Sequence, residues 1–197
     1  MKKYVLYGVG LDCEIFCYKN KDIIPQIAYC IDKNRNGEFY YGIPIYSLND
    51  APDLSSHTIL VTTRWELYEQ IKPLLAERNL SEYKNFMWHC CFQKKIVLIN
   101  MNCYSYTLPA YLNESTFFRT HYCIIPTPRI HENTAKCIDD NLICNCDIFI
   151  HQDIQANNTY GYLLSDEYIL SRIKPSCISI TVPNLVGLFG SALYPQL

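Results

Sequence analysis

Short apolar runs alternate along the chain with segments whose apolar residues recur at helical spacing. Tyr4-Val5-Leu6-Tyr7 is the first run; it stops at Gly8-Val9-Gly10, and Leu11, Ile15 and Tyr18 then mark a helix to about Asn20. The pattern predicts strand, tight turn, helix. Ile27-Ala28-Tyr29-Cys30-Ile31 predicts a second strand that stops at Asp32, with Lys33-Asn34-Arg35-Asn36-Gly37 as a polar turn after it. Ile43-Pro44-Ile45 reads as a short extended piece and Thr58-Ile59-Leu60-Val61-Thr62 as a further strand. Residues 65–78 read as a helix broken or bent at Pro73, which lacks the backbone donor a helix interior needs. Phe86-Met87-Trp88 closes this first unit.

After the polar segment Gln93-Lys94-Lys95, Ile96-Val97-Leu98-Ile99 begins a strand of the same character as the first, which places a domain boundary near Phe92. A turn over 100–103, a helix through Leu112, a helix over about 132–145 and the strand Asp147-Ile148-Phe149-Ile150 follow. Ser165 is a good N-cap, with Asp166 and Glu167 in the first turn of a helix that ends near Lys174, before Pro175. Cys177-Ile178-Ser179-Ile180-Thr181-Val182 alternates as a strand does and stops at Pro183-Asn184. Strands that alternate with helices in both halves argue for an α/β protein: a Rossmann-like parallel-sheet domain over 1–92, then a second α/β unit over 93–197. In such sheets the binding crevices lie beyond the carboxyl ends of the strands.

Composition narrows the function classes. With 49% hydrophobic residues and a net charge of −2 over 197 residues, the chain has enough apolar surface for a core and no basic field to hold a nucleic-acid backbone. No apolar run approaches the roughly 20 residues that span a bilayer, so the expectation is a cytoplasmic, unexported protein without a transmembrane segment. The eleven cysteines are odd in number and irregular in spacing, and several sit inside apolar runs, so they are read as reduced, buried small hydrophobes. Cys90-Cys91, Cys144-x-Cys146 and His89 lack recognised ligand spacing, and no metal is expected.

The first candidate constellation is the glycine turn. Gly8 and Gly10 supply the first two glycines of a G-x-G-x-x-G pattern with Cys13 in third place, and Asp32 follows Gly10 by 22 positions. Such a turn lets a phosphate approach the backbone at a helix N-terminus while the acidic residue accepts a ribose hydroxyl. Asp12 puts a negative charge in the first helical turn, and a glycine turn that binds nothing is the alternative. Tyr7-Gly8-Val9-Gly10, Cys30-Ile31-Asp32-Lys33 and Gly42-Ile43-Pro44-Ile45-Tyr46 resemble the small Rossmann-like domain at the front of bacterial sugar acetyltransferases of the PglD kind. That resemblance implies a sugar nucleotide as ligand, with Gly8, Gly10 and Asp32 as its contacts. A single mononucleotide-binding half favours it over a redox dinucleotide.

The second constellation is a thiol after a strand. The strand over 96–100 runs into Met101-Asn102-Cys103-Tyr104-Ser105, and a helix starts within the next few residues despite Pro109. A thiol near a helix N-terminus is favoured as thiolate, the form that attacks acyl groups, and Asn102 is placed to donate its amide to an oxyanion. The alternative is that Cys103 is one more core thiol. Asn102-Cys103, followed in order by Asp147-Ile148-Phe149-Ile150-His151-Gln152, Tyr160-Gly161-Tyr162, Leu164-Ser165, Ile178-Ser179-Ile180-Thr181-Val182-Pro183-Asn184-Leu185 and Tyr194-Pro195-Gln196, resembles the WcbI family of polysaccharide-biosynthesis proteins. The hallmark turn of that family is Gly-Asn-Cys-Gln, for which this chain has Met101 and Tyr104 at the outer positions.

The WcbI resemblance implies coenzyme A or acetyl-CoA as ligand and acetyl transfer to a sugar hydroxyl of a glycan acceptor. It also implies that 93–197 is the N-terminal part of a larger domain. In that reading Cys103 is the nucleophile or a coenzyme contact, Asn102 an oxyanion donor and His151 a base, with Gln152 and Asn184 on the coenzyme side. His151 and Gln152 end a strand, where ligands collect, although a polar strand end accounts for both equally well, and an ordinary Pro-Asn turn is the simpler account of Asn184. His89, His121 and His131 compete with His151 for the role of base. Two other classes stay open: a non-catalytic module that binds a nucleotide-linked sugar, and a thiol esterase of the strand–nucleophile–helix type.

Overall fold

A computed structural model describes residues 3–101, 107–127, 137–157 and 161–183. The chain divides into two compact units, Met1–Phe92 and Gln93–Leu197, and both are built on parallel strands.

In the first unit, in chain order, β1 (Tyr4–Tyr7), α1 (Leu11–Lys19), β2 (Ile27–Ile31), β3 (Phe39–Tyr40), β4 (Ile43–Tyr46), β5 (Thr58–Val61), α2 (Trp65–Ala76) and β6 (Phe86–Trp88) form one layer of strands with helices on both faces. The strand order is β3-β4-β2-β1-β5-β6, parallel except for the β3–β4 pair. Side chains alternate across the sheet as strand geometry requires. Leu6, Cys30 and Leu60 face α1, whereas Val5, Tyr29, Ile31, Ile59 and Val61 face Tyr68 and Leu75 of α2. The chain passes from β1 toward β2 on one side and returns to β5 on the other, so a topological switch point lies beyond the carboxyl ends of β1 and β5.

The packing of α1 and the course of α2 are not what the apolar spacing and Pro73 alone suggest. The stripe Leu11, Ile15, Tyr18 that marks α1 in the sequence is 69%, 44% and 73% exposed, and the buried face is Cys13, Phe16 and Cys17. Small apolar thiols let the helix lie close on the sheet. The neighbouring Cys30 thiol is pushed up to about 12, chiefly by burial, which leaves it an inert packing group. Nor does Pro73 break α2: the helix runs through it to Ala76, because the wholly buried Leu75 anchors the turn that follows.

The second unit comprises, in chain order, β7 (Lys95–Asn100), α3 (Thr107–Glu114), α4 (Thr116–His121), β8 (Tyr122–Ile124), α5 (Asp140–Asn145), β9 (Ile148–His151), α6 (Asp166–Leu170) and β10 (Ile178–Thr181). Among the described residues its sheet has the order β10-β9-β7-β8, all parallel. Val97, Ile99 and Ile150 pack with Leu108, Leu112 and Phe118 of α3 and α4. Pro109 sits in the first turn of α3, where its missing N–H costs no intrahelical bond.

Helices α5 and α6 are shorter than the periodicity suggests. The helix expected from about 132 begins at Asp140, because the Asp139 carboxylate accepts the Asn141 amide (2.8 Å) and caps it there, and 137–139 are non-helical; 132–136 lie outside the described residues. Ser165 caps α6 as expected, accepting the Tyr168 amide at 3.2 Å. That helix ends at Leu170 and gives way to turns ahead of Pro175, which disfavours helical geometry in the residue before it. Two elements carry no usable periodicity in the sequence, α4 and the three-residue β8.

Candidate functional site

In the second sheet the chain leaves β7 for β8 on one side and returns to β9 on the other. The crevice at such a reversal lies beyond the carboxyl ends of β7 and β9. Asn100 and His151, the last residues of these two strands, are register partners there. Both are buried, and the Asn100 side-chain amide donates to the Leu164 carbonyl (3.0 Å).

His151 is held from three sides. Its Nδ1 lies 2.8 Å from Oδ2 of Asp166, the first residue of α6, and the same oxygen accepts the Ile154 amide at 3.2 Å. Its ring stacks on Phe149, with centroids 4.4 Å apart and planes 6° from parallel. On the far side Nε2 lies 2.9 Å from Ser179 Oγ and 3.3 Å from Thr181 Oγ1, which point to one face of β10 because they are two residues apart. A carboxylate on Nδ1 favours the tautomer that carries its proton there, so Nε2 presents a lone pair to the hydroxyls.

Asp166 is mostly buried, and desolvation is the largest influence that raises its carboxyl above the ordinary carboxylate range; the Ile154 amide and His151 act in the other direction. Its Oδ1 is buried with no hydrogen-bond partner among the described residues. Among the described residues Oδ2 alone is engaged, and its bond to Nδ1 fixes the imidazole's rotation. Carboxylate, imidazole and hydroxyl thus stand in line, an arrangement able to take a proton from a hydroxyl and return it to a leaving group.

Of the residues singled out in the sequence, His151 and Gln152 are at this crevice. The Gln152 side chain is buried, and its backbone amide donates to the Asn100 carbonyl at 3.3 Å. Asn102, Cys103, His131 and Asn184 lie outside the described residues. Cys103 follows β7 by three residues in sequence. His121 ends α4 at the amino-terminal edge of the sheet, beside Tyr122, which pairs with Lys95, so it stands at the end of the strands opposite His151. His89 belongs to the first unit, where Nδ1 lies 3.1 Å from the Val61 carbonyl and its ring packs against Phe16.

Gly8, Gly10 and Asp32 lie together at the first unit's switch point. Gly8 has φ +94°, and a Cβ there would come within 2.7 Å of Thr63 Cγ2, so glycine is required by the backbone itself. Thr62 at the end of β5 donates to the Gly8 carbonyl at 2.6 Å. Asp32 accepts the Val9 amide on Oδ2 (2.8 Å) and the Asn34 amide on Oδ1 (2.9 Å), while Arg35 donates to the Val9 carbonyl (3.2 Å). The Asp32 carboxylate therefore holds the glycine turn in shape, and each of its oxygens keeps a second lone pair.

Sequence reasoning missed Asp166, Ser179 and Thr181 as parts of one site. Asp166 reads as an ordinary acidic residue in a first helical turn. The available signal was the pair Ser179-x-Thr181, two hydroxyls on one face of a strand that alternates with isoleucines. Among the described residues no group of three or more His, Cys, Asp or Glu side chains is placed to hold a metal ion. Nor is any described helix long and apolar enough to cross a membrane.

Residues 96–197 match the family model described as polysaccharide biosynthesis enzyme WcbI. The match spans more than half of the chain and contains the whole His151–Asp166–Ser179 constellation. The chain belongs to this family, and its role is in polysaccharide biosynthesis. The first unit lies outside the matched residues. No curated protein and no solved structure matches the chain.

Proposed function

We propose that the chain transfers an acetyl group from acetyl-CoA to a hydroxyl of a sugar during polysaccharide assembly. The observation that carries this reading is the buried Asp166–His151 pair, which leaves Nε2 directed at hydroxyl oxygens at the end of β9. Acyl transfer to an alcohol needs a base for the alcohol's proton, and an imidazole oriented by a carboxylate is suited to that task near neutral pH. The thioester supplies the acetyl group: its C–S bond breaks and a C–O bond to the sugar forms. His151 takes the hydroxyl proton on Nε2 and delivers it to the departing sulfur. Asp166 keeps the ring in one tautomer and balances the charge it gains.

Cys103 and Asn102 are assigned to the coenzyme side of this reading, together with Gln152 and Asn184. The first unit is assigned to a nucleotide-linked sugar, supported by the Gly8–Val9–Gly10 turn at a sheet switch point and the Arg35 guanidinium beside it. Titration with acetyl-CoA and, separately, with UDP-sugars, followed by calorimetry and thermal shift, tests both assignments, because a ligand specific to the folded state raises apparent stability. Acetyl-CoA binding that weakens in Cys103→Ala while the fold persists supports the transferase. Binding of a nucleotide sugar with none of coenzyme points instead to a non-catalytic module, and ester hydrolysis without any coenzyme binding points to an esterase.

A further inference from the structure

We propose that Ser179 is a nucleophile that carries the acyl group as an ester before it reaches the acceptor. This rests on the acyl-transfer reading and adds a covalent step to it. Ser179 Oγ lies 2.9 Å from His151 Nε2, and His151 Nδ1 lies 2.8 Å from Asp166 Oδ2. Both distances fall within the range that links nucleophile to base and base to orienting carboxylate in hydroxyl-based acyl transfer.

The environments of the three groups differ in the way the chemistry requires. His151 and Asp166 are buried, which keeps the proton path away from bulk water, whereas Ser179 on β10 is exposed in the described structure. Thr181 Oγ1 is farther from the same nitrogen, at 3.3 Å, and its oxygen sits on a β-branched carbon that crowds an approaching carbonyl. Ser179 is therefore the better placed of the two hydroxyls. A serine hydroxyl needs such a base, since it is a weak nucleophile at its own pKa.

In the first step Nε2 takes the Ser179 proton, Oγ attacks the thioester carbonyl, the C–S bond breaks and the sulfur leaves with the proton from Nε2. An acetyl ester on Ser179 results. In the second step Nε2 takes the proton of the sugar hydroxyl, the sugar oxygen attacks the ester carbonyl, and Ser179 Oγ leaves with that proton. Water in place of the sugar gives acetate.

A fluorophosphonate probe tests this without coenzyme, because it phosphonylates an activated serine and expels fluoride. The expected result is one label on the full chain, mapped to Ser179 by peptide mass spectrometry. Ser179→Ala abolishes labelling, and labelling slows by at least ~10³-fold in His151→Ala, in line with the loss of a member of a catalytic triad. Thr181→Val and Cys103→Ala keep the label, and circular dichroism confirms that each variant is folded. An unlabelled protein, a label on another residue, or full labelling in His151→Ala overturns the proposal. Acetyl transfer from acetyl-CoA that persists undiminished in Ser179→Ala also overturns it while leaving the transferase reading intact. A labelled Ser179 in a protein that does not bind acetyl-CoA does the reverse.

Discussion

Asp166 Oδ2 lies 2.8 Å from His151 Nδ1 across 15 positions of sequence, and it joins the first residue of α6 to the last residue of β9. The contact with His151 favours the carboxylate, but desolvation of the buried group opposes it more strongly. Burial raises the Asp166 carboxyl above its ordinary range, so the folded chain binds this proton at pH values where the unfolded chain has released it. Stability from this group therefore falls as pH rises through the window between the unfolded and folded values.

Asp166→Asn removes the charge and keeps an oxygen for the Ile154 amide and the imidazole. The variant is expected to be as stable as the parent below the ordinary carboxylate range and equal or more stable at neutral pH, by denaturant unfolding across pH. Its acyl transfer is expected to fall by roughly 10²–10⁴-fold, because the imidazole loses its orienting charge. His151 and Asp153 also influence the carboxyl, so the comparison is made with both intact. A marked loss of stability at neutral pH with activity retained would contradict these roles.

Gly8 and Gly10, the two glycines of the turn after β1, separate structure from binding. Gly8→Ala forces a side chain into φ +94° and against Thr63, and is expected to destabilise the unit by more than about 1 kcal/mol. Gly10 has φ −120°, and a Cβ added there would meet no atom within 4 Å, so Gly10→Ala is expected to leave thermal stability nearly unchanged. If a nucleotide phosphate approaches this turn, that same substitution weakens UDP-sugar affinity in calorimetry. Unchanged affinity would place the phosphate elsewhere.

Tyr68 and Glu82 form a buried polar pair in the first unit: the phenol donates to the carboxylate, whose other oxygen lies 3.1 Å from Lys72 Nζ. Burial first, and the adjacent carboxylate second, push the Tyr68 hydroxyl well above its usual range, so it stays a donor at all ordinary pH. Tyr68→Phe deprives the carboxylate of this donor and is expected to cost about 1–3 kcal/mol in urea unfolding, with ligand binding in the second unit unaffected. A neutral effect would mean that water or Lys72 compensates.

Much of the sheet was legible from sequence because each buried parallel strand is a short apolar run, and these runs fix β1, β2, β5, β7 and β9 to within about a residue. Helix α1 is legible in the sequence but its buried face is not, since apolar spacing cannot tell an exposed Leu11-Ile15-Tyr18 stripe from a buried one when cysteines supply much of the packing surface. His151 was found because it ends a strand. Its partners were not, because Asp166 is 15 and Ser179 is 28 positions away in sequence, and only the β9–β10 register and the return of the chain through α6 bring them together. Asp32 shows the converse: its spacing from Gly10 was visible, but the backbone amides it accepts were not.

Acetyl transfer by the full chain, with and without His151, tests the central claim most directly. With acetyl-CoA and a sugar or glycan acceptor, release of free thiol is followed alongside acetylation of the acceptor, in the parent and in a folded His151→Asn variant whose coenzyme affinity is measured in parallel. The expected result is stoichiometric thiol release and acceptor acetylation by the parent, and a rate at least ~10²-fold lower in the variant with binding retained. Equal rates in the two proteins, or a parent that binds acetyl-CoA and transfers nothing to any hydroxyl acceptor, would contradict it.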